Sequence, residues 1–342
     1  MDTATRRLSF ADTAPGPLLL EVRHLTASYP TVTGPLTAVK DLSFQIAAGE
    51  VLALVGETGC GKSTVALTLL GLLDTGQIES GEILFEDRDL RKLGKREWRS
   101  IRGCAIGMVF QDARSALNPV LTIGNHLVES ILAHQRLSGK QARALAVDLL
   151  HEVGIPEPQF QMHRYPFELS GGMCQRVGIA LGICNKPRLL VADEPTSALD
   201  PTIQIQIMQL LGEMKRRLGL SLLLISHDLA LVSEFADRVA VMYHGRLVES
   251  GPGPRVFCHP AHPYTRALTE SVPDLRHRCD SRPLAAVPGA PPAPGEEFTG
   301  CSFAPRCTLG ESRCTDALPV PVLVSDGHWA ACFRSAGSTD HE

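Results

Sequence analysis

The apolar run Val51-Leu52-Ala53-Leu54-Val55 leads directly into Gly56-Glu57-Thr58-Gly59-Cys60-Gly61-Lys62-Ser63, and this junction constrains the chain more than any other feature. An uninterrupted apolar run this short reads as a strand buried on both faces. After it, G-x-x-x-x-G-K-S opens a helical pattern from Lys62 to Leu73. That strand–loop–helix setting is the one in which such a loop binds phosphate. Glycines let successive backbone N–H groups curl inward towards phosphate oxygens. The following helix offers its positive N-terminal end. Lys62 supplies a cation for the β- and γ-phosphates, and the Ser63 hydroxyl a ligand for Mg2+. Gly56, Glu57, Thr58, Gly59, Cys60, Gly61, Lys62, Ser63 and Thr64 are therefore candidate nucleotide-binding residues.

A second buried-strand pattern, Leu189-Leu190-Val191-Ala192, runs straight into Asp193-Glu194. Carboxylates at the carboxyl end of a buried parallel strand sit where such sheets bind ligands. Asp193 is expected to hold Mg2+, and Glu194 to orient and polarise an attacking water. Leu169-Ser170-Gly171-Gly172 precedes a further helical pattern and by itself reads as an N-terminal cap with a spare anion site. Strands are also expected over LLLEVRHLTASY, DLSFQIAAGE and LSLLLISHD, with a hairpin turning at His244–Gly245. The stretch from Asp89 to about Gly154 is mostly helical in pattern. Strands alternating with helices imply an α/β core.

Taken together, these features resemble the ATP-binding-cassette (ABC) ATPases. Gln111 in MVFQD matches their Q-loop, LSGG with Ser170, Gly171 and Gly172 their signature, Ser197-Ala198-Leu199-Asp200 their D-loop, His227 in ISHD their switch histidine, and Tyr29 the aromatic that stacks on adenine. The signature's usual Gln is replaced by Met173. The resemblance implies a P-loop NTPase of ABC type, an α/β RecA-like core with antiparallel β and helical subdomains. It implies catalysis by Glu194, His227, Gln111 and Lys62, with Mg2+ on Ser63, Gln111 and Asp193. It also implies that ATP lies between two cassettes, the Ser170–Gly172 segment of one facing the nucleotide of the other. DARSALNPVLTIGNHLVE, PTSALDPTIQIQI and HPAHPYTRAL narrow the likeness to the oligopeptide, dipeptide and nickel importer ATPases. The implied partners are a second ABC ATPase subunit, two membrane-spanning permease subunits and an external solute-binding protein, on the cytoplasmic face of the inner membrane. Short peptides are the first expected cargo; nickel chelates and glutathione-like thiols remain open, as does a non-transport ATPase acting on nucleic acid or translation.

Composition agrees with a globular chain of 342 residues, 44% hydrophobic and 20% charged. Its net charge of −4, from 33 basic and 37 acidic residues, gives no global basic field for nucleic acid. No run approaches the ~18 apolar residues of a membrane span, and the N-terminus has no signal-peptide pattern, so a cytosolic chain is expected. The expected division is a tail over residues 1–17, the ATPase over 18–258 with a helical subdomain near 89–185, a helix and Pro-rich linker over 259–300, and a small Cys-rich extension over 301–342. Four of the ten cysteines, Cys301, Cys307, Cys314 and Cys332, crowd this last segment as C-x5-C-x6-C-x17-C. Clustered thiols in a reducing compartment favour metal over disulfide. A [4Fe–4S] cluster, which the family resemblance also implies, is the first expectation, with zinc or a metal-free tail as alternatives. His328 is a possible extra ligand or a packing residue. The other six cysteines read as packing residues, Cys60 within the loop included.

Overall fold

A computed structural model describes residues 16–32, 34–272 and 286–335. The chain divides into two compact units, one of Met1–Ala47, Leu52–Arg91 and Ser226–Glu342, the other of Ala48–Val51 and Lys92–Ile225. Most of the tail expected over 1–17, part of the Pro-rich linker, and Cys279 lie outside the described residues.

The first unit opens with β1 (Leu18–Thr31), β2 (Gly34–Ala47), β3 (Val51–Val55), α1 (Lys62–Leu69), β4 (Gln77–Phe85) and β5 (Arg88–Asp89). Strands in the order β2-β1-β4-β5 form an antiparallel sheet. Its core side chains include Leu20, Val22, Phe44, Ile46 and Phe85, all essentially buried. Every residue of β3 is buried, as a strand covered on both faces requires.

The second unit carries α2 (Lys95–Ile101), β6 (Ile106–Val109), α3 (Ala113–Ala116), α4 (Ile123–Leu132), α5 (Gly139–Glu152), α6 (Pro158–Gln161), α7 (Gly171–Ile183), β7 (Leu189–Asp193), α8 (Pro201–Leu218) and β8 (Ser221–Ser226). Strands β6, β7 and β8 pair in parallel. The helices are capped by their own sequence: Thr122 Oγ1 accepts from Asn125 N–H, Ser138 and Gln141 form a reciprocal capping box, and Gly219 at φ 64° ends α8. The mostly helical reading of 89–154 missed β6. Its four residues are too few to show a period, and Asp112, the N-cap of α3, follows three positions after its end.

The chain then returns to the first unit with α9 (Leu229–Phe235), β9 (Arg238–Tyr243), β10 (Arg246–Pro252), α10 (Gly253–Cys258), α11 (Pro263–Glu270), α12 (Arg313–Asp316), β11 (Val322–Ser325) and β12 (His328–Ala330). The expected hairpin turns at His244 and Gly245, where Tyr243 pairs with Arg246. β9 runs parallel to β3, and β10 continues the sheet through β12 to β11. Strands β11 and β12, within the expected Cys-rich extension, therefore extend the sheet of this unit. Among the described residues, no helix is long and apolar enough to cross a membrane.

Candidate nucleotide site

In the first unit, the loop between β3 and α1 is held by its glycines. Gly56 has φ 155°, and a Cβ there would lie 2.2 Å from the Met242 carbonyl oxygen. Gly61 has φ 107°, and its Cβ would lie 2.4 Å from the Ala38 oxygen. At both positions the backbone conformation and the close approach exclude any side chain. Gly61 is also the N-cap of α1 and brings no side-chain cap to it, at the helix end that favours an anion. Lys62 is only 4% exposed. Its Nζ donates to the carbonyl oxygens of Gly56 at 2.7 Å and Glu57 at 3.0 Å. Burial pushes the Cys60 thiol up, away from the reactive thiolate. Tyr29 of β1 donates from its hydroxyl to Thr64 Oγ1 at 3.4 Å, so the expected adenine-stacking residue and the end of the loop are neighbours. His227 is exposed directly after β8, and Asp228 caps α9 by accepting from Leu231 N–H.

In the second unit, β7 ends in Asp193, which is buried, and Glu194 follows in the left-handed region at φ 44°. Gln111 Nε2 donates to Glu194 Oε2 at 2.9 Å. Ser197 closes this arrangement: its Oγ donates to the Gln111 carbonyl at 3.1 Å and its N–H to the Glu194 carbonyl at 3.0 Å. Two residues read separately from the sequence are thus joined directly, and a D-loop residue ties both backbones. Ser170 caps α7, its Oγ accepting from Met173 N–H at 3.3 Å. This bond uses the backbone of position 173, so the Met173 side chain plays no part in it. Cβ atoms built on Gly171 and Gly172 would lie 3.6 Å from Leu199 and 3.0 Å from Ile203, so the signature turn packs on the D-loop and the start of α8. Asp200 is the N-cap of α8, with Pro201 at its first position.

The expectation of a metal centre among the C-terminal cysteines is not supported. Cys301, Cys307, Cys314 and Cys332 do line one cavity, with Phe303, Leu309, Pro319 and Phe333. Its volume is about 20 Å³, room for about one water, and a four-iron cluster would need the thiols to move apart. Among the described residues, no group of three or more His, Cys, Asp or Glu side chains is placed to hold a metal ion. Burial raises the Cys301 and Cys307 thiols, favouring the neutral form over the ligating thiolate. His328 does not line this cavity; its Nε2 lies 2.7 Å from Glu249 Oε1, with both side chains buried.

Sequence reasoning missed the residues that hold the loop from its other side. Tyr264 Oη accepts from the Glu57 N–H at 2.8 Å, and Arg306 grips the Glu57 carboxylate. Both lie more than 200 positions along the chain from Glu57. The only available signal was an unexplained acid inside the loop and an Arg beside a clustered Cys.

A glycine-constrained phosphate loop, a strand-end Asp-Glu pair and a Ser-Gly-Gly helix cap define an ATP-binding cassette. Residues 39–197 match the ABC transporter family, and residues 248–314 match the C-terminal region of oligopeptide/dipeptide transporters. The dipeptide transport ATP-binding protein DppD of Bacillus subtilis is 42% identical over 325 residues, covering 94% of this chain and 96% of its own. DppD of Escherichia coli K12 is 41% identical over 315 residues, with 92% and 96% covered. The cassette MJ0796, solved as a dimer in a post-hydrolysis state with ADP and Pi, superposes with TM-score 0.62 at 30% identity, over 68% of this chain and 98% of its own. The chain belongs to the ABC transporter ATPases, of the oligopeptide/dipeptide type, and it is an ATPase.

Proposed function

We propose that this chain hydrolyses ATP to energise import of short peptides through a transporter fed by an external binding protein. The observation that carries the cargo assignment is the oligopeptide/dipeptide match over residues 248–314, reinforced by peptide and dipeptide transport proteins that align over nearly the whole chain. Nickel chelates and glutathione-like thiols are the alternative cargoes. The chain works with two membrane-spanning permease subunits and a second cassette, at the cytoplasmic face of the inner membrane. Support for the second cassette comes from the dimeric state of MJ0796.

In this reading Lys62 and the N-terminus of α1 bind the phosphates, Tyr29 stacks on adenine, and Ser170, Gly171 and Gly172 serve the nucleotide of the facing subunit. Ser63, Asp193 and Gln111 offer hydroxyl, carboxylate and amide oxygens, a donor set suited to Mg2+, which prefers hard oxygen ligands. An Mg2+ held by such oxygens would neutralise charge on the phosphates. Glu194 takes a proton from water as the water oxygen bonds to the γ-phosphorus. The bond from that phosphorus to the bridging oxygen breaks, and ADP carries away the electron pair. His227 contacts the γ-phosphate, and Asp200 belongs to the same nucleotide-facing set. Gln111, hydrogen-bonded to Glu194, links the base to the helical region that follows it in sequence.

Glu194→Gln is the direct test. It should retain ATP binding while lowering turnover by roughly 10²–10⁴-fold, the usual contribution of a general base. Hydrolysis at the wild-type rate would remove Glu194 from that role. For the cargo, transporter reconstituted in vesicles should hydrolyse ATP faster when its binding protein is loaded with di- or oligopeptides. Stimulation by nickel chelate or glutathione alone would reassign the substrate.

A further inference from the structure

Arg306 is far from every sequence motif of the cassette, yet all five of its guanidinium N–H groups are used within reach of the nucleotide loop. Nη1 donates to Glu57 Oε2 at 2.7 Å and Nη2 to Glu57 Oε1 at 3.0 Å, a two-pronged pair. The remaining donors go to the Tyr243 hydroxyl at 3.2 Å, the Gly289 carbonyl at 3.4 Å and, from Nε, the Pro288 carbonyl at 2.6 Å. The guanidinium carbon lies 5.8 Å from the Tyr243 ring centre and 5.9 Å from that of Phe303. The Arg306 side chain is 5% exposed and that of Glu57 23%. A pair this buried is weak as a source of net stability, because desolvating both charges offsets most of their attraction. Its geometric content is larger, since a planar fork on a carboxylate fixes both position and direction.

What the pair fixes is the second residue of the phosphate loop. The Glu57 N–H is held by Tyr264 Oη, and the Glu57 carbonyl accepts from Lys62 Nζ and from Cys60 N–H. Tyr264, Tyr243 and Phe303 pack ring on ring behind it, with centres 4.6 to 5.3 Å apart. A continuous set of bonds therefore runs from Arg306 through Glu57 to the lysine that binds phosphate.

We propose that Arg306 is a positioning residue for the nucleotide: by clamping Glu57 from the outer side, it presets the loop's backbone and the place of Lys62 before ATP arrives. A loop ordered in advance does not spend binding energy on its own ordering. The C-terminal region thereby sets the ATP affinity of the cassette. This rests on the assignment of residues 56–63 as the phosphate loop.

The test uses the full chain with ATP and Mg2+ as the probe. Arg306→Met and Glu57→Gln should each weaken ATP binding about tenfold, a coupling of the size found within one hydrogen-bonded network. The double variant should be no weaker than either single one. KM for ATP should rise with kcat within about twofold, because the clamp touches no reacting atom. Arg306→Lys, which keeps the charge and loses the fork, should fall between wild type and Arg306→Met. Wild-type affinity in both single variants, or fully additive losses in the double, overturns the proposal. If Arg306→Met fails to fold, Glu57→Gln decides alone, since it leaves the C-terminal region intact. Lys62→Ala separates the two levels: undiminished ATP binding in that variant refutes the loop assignment itself, whatever Arg306 does.

Discussion

The loop at residues 56–63 and the cavity lined by Cys301, Cys307, Cys314 and Cys332 are both dense in chemically unusual residues, and they resolve in opposite ways. In the loop each special residue answers a geometric demand. Gly56 and Gly61 sit at positive φ against carbonyl oxygens, and Lys62 is buried with two acceptors. In the cavity the four thiols converge, but the shared space is about 20 Å³ and is closed by Phe303, Leu309, Pro319 and Phe333. A contiguous motif fixes backbone geometry, so its spacing carries the chemistry. Four residues from separated segments fix only proximity, and proximity is equally what a packed cluster of small side chains needs.

The comparison breaks most visibly at Gly61. Gly61→Ala places a methyl 2.4 Å from the Ala38 oxygen at a φ of 107°. Strain and overpacking together should cost about 3–5 kcal/mol, read as a fall in the denaturant midpoint. A near-neutral substitution would show that the loop is less determined than its glycines suggest. Next in size is Lys62→Ala, which removes a charged donor and should weaken ATP binding on the order of a hundredfold. Calorimetric titration of the full chain measures it directly.

The cavity side is sharpened by His262, which lines the thiol pocket. Burial lowers its pKa from 6.5 to about 4, opposed by the neighbouring Glu249 carboxylate. The folded chain therefore favours the neutral ring. The stability this contributes is present above pH 6.5 and is lost as pH falls towards 4. At pH 5 the loss should be about 2 kcal/mol by linkage. His262 Nδ1 accepts from Tyr264 N–H at 3.0 Å to cap α11, and the Asn oxygen of His262→Asn can accept the same bond. That variant should show a flatter stability profile between pH 6.5 and 5. An unchanged slope would assign the acid sensitivity to other groups.

The candidate nucleotide site could be read from the sequence because its signals are local. Gly56–Ser63, Asp193-Glu194 and Ser170–Gly172 are short strings whose spacing survives without knowledge of the fold. The hairpin at His244–Gly245 and the all-apolar strands were legible for the same reason. Strand β6 was not, since four residues cannot display a period. Arg306, Tyr264 and Tyr243 were invisible as site residues because their partners lie up to 249 positions away, and nothing in a linear string pairs an acid with a distant arginine. The proline-rich stretch hid a partner in a related way. Its composition suggests an extended spacer, and nothing in that composition signals that the carbonyls of Pro288 and Gly289 accept hydrogen bonds from Arg306.

The smallest expected effect is also the one that reaches furthest into the cavity. Cys332 sits among Phe303, Pro319 and Phe333 beside the other three thiols. If the thiols act as small packing groups, Cys332→Ser exchanges a weakly polar sulfur for a hydroxyl that must find a partner, at a cost of roughly 1 kcal/mol. ATP hydrolysis should stay within about twofold of wild type, because Cys332 makes none of the bonds that join Arg306 to Glu57. Iron, sulfide and zinc analysis of anaerobically purified full-length protein should then find no stoichiometric metal. A metal present at one site per chain and lost in Cys332→Ser would mean that the thiols separate to a spacing the closed cavity does not have. The contrast between the two regions would then fail, because both would be ligand sites built from their sequence motifs.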